Sequence, residues 1–125
     1  MVNKGSYEGG FKMISLYGQY IKEREGQEII EEDYGFASYS INYSGNECYI
    51  FIHDFFITSK FRGTKKTKAL VEKLLSVAYE NKCSYAVATI DPITATSTQA
   101  MKFHLKNGMC LSHIDNGLIY MIKRF

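Results

Sequence analysis

The sequence predicts a mixed α/β (α+β) domain with a β–α–β crossover at its centre, and three observations carry that prediction. Cys48 to Ile57 (CYIFIHDFFI) and Ser84 to Ile90 (SYAVATI) are apolar runs of strand length. Between them, Thr64 to Asn81 repeats apolar residues at helical spacing, as a connection between parallel strands does. Around this centre, alternating segments broken by Gly and Asn read as antiparallel hairpins. The expected order is α β β β α β α β β. Residues 1–125 show no repeat, linker or low-complexity tract, so a single domain is expected.

The elements follow in order. Phe11 to about Glu25 sets Phe11, Ile14, Tyr17 and Ile21 on one helical face, and Gly26 supplies a stop. QEIIEEDYG reads as a short strand running into a turn. Phe36 to Tyr43 alternates with a period of two, and Ser44-Gly45-Asn46 turns the chain back antiparallel. Cys48 to Ile57 is expected to be a central strand buried on both faces, with His53 and Asp54 pointing to opposite sides. In Thr64 to Asn81, Leu70, Leu74, Val77 and Ala78 face inward. Asp91-Pro92 stops the next strand. A short helix follows from Ser97 to Lys106, ended by Asn107-Gly108. Met109 to Ile114 and Leu118 to Lys123 form a final hairpin over Asp115-Asn116-Gly117.

Composition narrows the function classes. A chain of 125 residues with 46% hydrophobic content can bury a real core. No apolar run approaches the ~20 residues that span a bilayer, and Met1 to Gly10 lacks the apolar middle of a signal peptide. Cys48, Cys83 and Cys110 fit neither a CxxC spacing nor a metal cluster. Buried free thiols, no metal and a cytoplasmic, reducing compartment are expected. Charge is uneven: residues 1–47 hold four Lys/Arg against eight Asp/Glu, and residues 48–125 hold eleven against five. That balance, −4 against +6, points to an anion handled by the second half.

The stretch ITSKFRGTKKTKALVEKL, Ile57 to Leu74, is a strand–loop–helix junction, where free amides and a helix dipole converge on phosphates. The loop within it holds one glycine, Gly63, and lysines at Lys65, Lys66 and Lys68. Ile57 to Gly63 and the helix after it resemble motif A of the GNAT superfamily of acetyl-coenzyme A-dependent N-acetyltransferases. Ser97 to Met109 resembles the family's second signature: Ala100, Phe103 and Gly108 match it. Ser97 stands where Asn is usual, His104 where Tyr is usual and Met109 where Phe is usual. The resemblance covers roughly Gln27 to the C-terminus and implies a GNAT-like domain. Residues 1–26 form a shortened helical region, as in small, phage-type members.

The resemblance also implies a site. The thioester of acetyl-CoA would lie against Phe55, Phe56 and Ile57. The pyrophosphate would lie on the loop of Arg62, Gly63, Thr64, Lys65, Lys66, Thr67 and Lys68. Lys65 and Thr67 replace the usual glycines, which costs steric freedom. The amides remain available, with lysine charges and the Thr67 hydroxyl to assist. His104 occupies the place of the family's proton donor to the coenzyme A thiolate, and Ser97 either binds cofactor or caps its helix. Of His53 and Asp54, of which only one can face the cleft, Asp54 is favoured to receive the amine's proton, directly or through water. His113 and Tyr120 would line the acceptor side.

Two readings follow. One is an enzyme acetylating an amine, and the short N-terminal wall points to a protein lysine or N-terminus as acceptor. The other is a GNAT-like protein-binding factor with degraded catalytic equipment, as the departures at Lys65, Thr67, Ser97 and His104 suggest. The modest charge and the lack of a recognised motif argue against nucleic acid. Edge pairing would allow a homodimer without requiring one.

Overall fold

The structure, a computed structural model, describes residues 14–125. Helix α1 (Leu16–Arg24) is followed by strands β1 (Glu28–Glu32), β2 (Gly35–Ser44) and β3 (Glu47–Ile57). A 3-10 turn (Ser59–Phe61) leads into α2 (Lys65–Glu80), β4 (Tyr85–Ile90), α3 (Ser97–Lys106), β5 (Cys110–Asp115) and β6 (Leu118–Arg124). The six strands form one sheet ordered β1-β2-β3-β4-β6-β5, parallel at β3–β4 and antiparallel elsewhere. This is the expected element order.

Helix α1 begins at Leu16, capped by the Ser15 hydroxyl, which accepts from the Gly18 amide. The expected start at Phe11 lies outside the described residues. Ser15 also donates to the Glu31 carboxylate at 2.6 Å, tying the helix start to β1. Of its expected apolar face, Ile21 is buried, whereas Ile14 and Tyr17 keep substantial exposure.

The core lies between the sheet and α2. Leu70, Leu74 and Ala78 are buried against Ala37, Ile50, Ala86, Ala88 and Met121, with Val77 packed alongside. Thr64 caps α2 by accepting from the Lys66 amide. The last hairpin turns on Asn116 (φ 51°) and Gly117 (φ 77°), the two left-handed residues of a tight turn.

Strand β3 departs from the expected strand buried on both faces. Its pairing with β2 jumps between Ser38, opposite Asp54, and Tyr39, opposite Ile52, so His53 is the extra residue of a β-bulge. The bulge resets the alternation. Ile50 and Ile52 face the α2 layer, and beyond the inserted residue Phe55 and Ile57 face it too. Regular alternation would have turned them away. The opposite face is open along this stretch, with His53 and Asp54 exposed. Gly35 permits the close approach of β2 here: a Cβ on it would lie 2.2 Å from the Phe56 carbonyl oxygen.

Cys48 and Cys83 are buried with sulfurs 3.4 Å apart, but Cys110 is exposed, which corrects the expectation of three buried thiols. Burial first, then the hydrogen bond with Cys48, pushes the Cys83 thiol up to about 12. A thiol-reactive chromophore should therefore label Cys110 alone in the native protein, and all three only after unfolding. Leu70→Ala should cost about 2–5 kcal/mol in chemical denaturation, since its side chain is fully buried.

Candidate active site

The parallel ladder between β3 and β4 runs from Tyr49↔Tyr85 to Ile52↔Ala88 and stops there. Strand β3 continues to Ile57 along β2, and β4 continues to Ile90 along β6. The two central strands therefore part into a V. Along Phe55, Phe56 and Ile57, backbone groups alternate between the β2 ladder and the opening.

The loop after β3 finishes the V. Arg62, though exposed, closes back on the strand: its Nε donates to the Ile57 carbonyl at 2.8 Å, and its guanidinium lies 5.6 Å from the centre of the Phe56 ring. Gly63 sits at φ 71°, and a Cβ there would meet nothing within 4 Å, so the space above the loop is open. The Thr64 hydroxyl donates to the Phe61 carbonyl and accepts from the Lys66 amide. The Thr67 hydroxyl also donates to Phe61 O, at 3.1 Å, which ties that side chain into the loop. The amides of Lys65 and Thr67 precede the i−4 ladder of α2 and sit at the positive end of its dipole. Lys65, Lys66 and Lys68 are all exposed, and the Lys66 ammonium lies 5.0 Å from the Tyr34 ring centre.

Helix α3 flanks the other side. Phe103 packs on Phe55 at 4.8 Å between centroids, joining α3 to the stretch of β3 that has left β4. Between α2, α3 and the sheet lies an apolar slot of ≈ 60 Å³, lined by Ile52, Phe55, Leu74, Phe103, His104 and Lys123 among others. Burial holds the His104 imidazole below its ordinary range, so it is neutral at pH 7. Lys123 donates to the Asn107 carbonyl at 3.0 Å. Ser97 is the first helical residue rather than the cap, and its hydroxyl donates to Pro92 O at 3.3 Å.

His53 and Asp54, expected on opposite faces, share one face because of the bulge. His53 Nε2 lies 2.8 Å from Ser40 Oγ, and Asp54 stands opposite Ser38, two residues along the same side of β2. Burial lowers the His53 pKa, and the Asp54 charge opposes that shift. Asn42 Nδ2 donates to Ser40 Oγ at 3.2 Å, so a chain of hydrogen bonds fixes the imidazole from behind. Tyr17 of α1 joins from above. Partial burial first, and the Asp54 charge second, raise its phenol. Sequence reasoning missed Ser40, Asn42 and Tyr17. His113 and Tyr120, stacked at 4.5 Å, stand on β5 and β6 along the open face.

The profile of the acetyltransferase (GNAT) family matches residues 12–109. The chain belongs to the GNAT family. Solved GNAT-type structures share its fold. The PaiA N-acetyltransferase from Thermoplasma acidophilum, in complex with coenzyme A, superposes with TM-score 0.64 at 14% identity, over 88% of this chain and 69% of that one. A GNAT family acetyltransferase from Elizabethkingia anophelis, with acetyl-CoA bound, gives 0.62 at 15%, over 88% and 82%. A chain of the NatC complex bound to Gag peptide and CoA gives 0.60 at 15%, over 73% of this chain but 60% of that one. At these identities the likeness shows the fold. No curated protein sequence matches the chain. Among the described residues, no helix is long and apolar enough to cross a membrane.

The neutral His104 has a measurable consequence. Its folded pKa is depressed, so the unfolded chain binds the proton first as pH falls. Stability contributed by the neutral imidazole should be full above about pH 6.5 and decline below it, towards the folded pKa. Melting temperatures from pH 7.5 to 5 should fall less steeply in His104→Phe than in the parent.

Proposed function

We propose that this GNAT domain transfers an acetyl group from acetyl-coenzyme A to an amine on a protein, either a lysine side chain or an N-terminus. The observation that carries the reading is the V: β3–β4 pairing ends at Ile52/Ala88, and the opening runs onto the N-terminus of α2. Bound there, acetyl-coenzyme A supplies an activated acyl group as a thioester.

The loop fits such a ligand despite its missing glycines. The concern at Thr67 is a side chain crowding the amides, yet its hydroxyl is tied back to Phe61. Space above Gly63 is open. Amides of Lys65 and Thr67 would hold the diphosphate at the dipole's positive end, with Lys65, Lys66 and Lys68 as point charges. Cations at a helix N-terminus disfavour the helix by roughly 0.3–1 kcal/mol each when exposed. A bound anion reverses that sign.

Chemistry needs a base for the amine and a partner for the departing sulfur. His53, its pKa lowered by partial desolvation and its ring backed by Ser40, is the base, and Asp54 beside it favours the imidazolium that forms. His104 is the donor on the α3 side. A neutral imidazole still offers one N–H towards developing negative charge. Phe55 to Ile57 line the acyl path, and Ser97 serves as the first residue of α3 with its hydroxyl on Pro92 O.

Acetyl-coenzyme A at a hundredfold excess over Kd should stabilise the fold by about 2.7 kcal/mol in a thermal melt. Lys66→Ala and Lys68→Ala should each weaken affinity about two- to fivefold, the range of one charge at a helix end. His104→Phe should keep the melt shift and lower turnover on the order of 10²-fold. A melt unmoved by millimolar acetyl-coenzyme A would favour a GNAT-like binding factor instead.

A further inference from the structure

The sheet face opposite α2 and α3 carries a second feature. Tyr49, Phe51, Tyr85, Val87, His113 and Tyr120 are among the residues lining a groove of ≈ 240 Å³. Its rings are held in near-parallel pairs: Tyr49 on Tyr85 at 5.0 Å, and His113 on Tyr120 at 4.5 Å. Rings fixed before binding have little rotamer freedom left to lose.

The two ends of the groove differ. At one end the Arg124 guanidinium lies 4.7 Å from the Tyr85 ring centre and is paired with Glu47 at 2.8 Å, so its charge is compensated. At the other end Phe51 carries the His53 imidazole, stacked at 4.7 Å, with Asp54 next to it. Phe51 and Val87 are paired one step before the central strands part. The groove thus runs into the mouth of the V.

Apolar walls, a neutralised far end and an imidazole with a carboxylate at the near end complement an amine attached to a bulky apolar group. We propose that this groove is the acceptor's side-chain pocket, and that it selects peptide amines flanked by an aromatic or large aliphatic residue. The assignment rests on the acetyl-transfer reading above. A second copy of the chain is the weaker occupant, because a stable dimer buries about 800 Å² per partner and this groove has room for one large side chain.

The test uses two probes, the tripeptide amides Phe-Ala-Ala and Ser-Ala-Ala. Tyrosine-ring NMR signals are followed without cofactor, and kcat/KM with acetyl-coenzyme A is measured in parallel. The Phe peptide should shift the Tyr85 and Tyr120 rings and exceed the Ser peptide in kcat/KM by about 10- to 200-fold, the range of apolar pocket discrimination. Val87→Phe, which fills the groove, should erase that preference while leaving the coenzyme A melt shift unchanged. His113→Ala, on the exposed β5 strand, should reduce the preference without threatening the fold. Equal kcat/KM for the two peptides, ring shifts outside the groove, or a dimer that protects these rings would overturn the proposal. If cofactor fails to bind while the Phe peptide still shifts the rings, the acetyl-transfer reading falls and the groove keeps its apolar selectivity without its role as acceptor pocket.

Discussion

One inserted residue sets the architecture of the site. His53 bulges from β3, and the strand's alternation restarts after it. With the insertion, Phe55 and Ile57 stay on the core side together with Ile50 and Ile52. The same insertion leaves His53 and Asp54 side by side on the opposite face, beside Ser38 and Ser40. Apolar burial and the polar cluster are therefore separated by a single backbone irregularity. The end of β3–β4 pairing just before the bulge is its companion, since a strand that bends no longer tracks its parallel neighbour.

The loop beyond β3 meets a different constraint. Phosphate loops usually use glycine for close backbone approach, and this loop keeps only Gly63, at φ 71°. Instead its polar side chains are folded into the loop. Thr64 and Thr67 both donate to Phe61 O, Arg62 Nε closes on Ile57 O, and Lys66 lies over Tyr34. The turn is held by side chain-to-backbone bonds, and its amides stay on the outer side of α2's first turn. Lysines concentrated at that helix end are a local cost that an anion relieves.

Much of the fold was legible in the sequence because its signals are local. Strand-length runs at Cys48–Ile57 and Ser84–Ile90, the helical spacing of Leu70, Leu74 and Ala78, and Asn116-Gly117 all act over a few residues. The phase of β3 was not legible. A bulge is fixed by how two strands twist against each other, and CYIFIHDFFI reads equally well without one. That is why His53 and Asp54 were assigned to opposite faces. The partners of His53 escaped for a related reason: Ser40 lies on another strand, and nothing in FASYSINY marks it. The exposure of Cys110 likewise depends on β5 being an edge strand with every residue exposed. The strand–loop–helix junction was legible from sequence, but the bonds by which Arg62 and Thr67 close back on the loop backbone belong to tertiary packing.

Amide hydrogen exchange with and without coenzyme A shows whether the opening between β3 and β4 binds the cofactor. Added protection should be confined to Phe55–Ile57 and Lys65–Thr67, with the β1–β2 ladder unchanged. Protection appearing elsewhere, or none at saturating coenzyme A, would mean that the parting of β3 from β4 is a feature of packing and not a binding site.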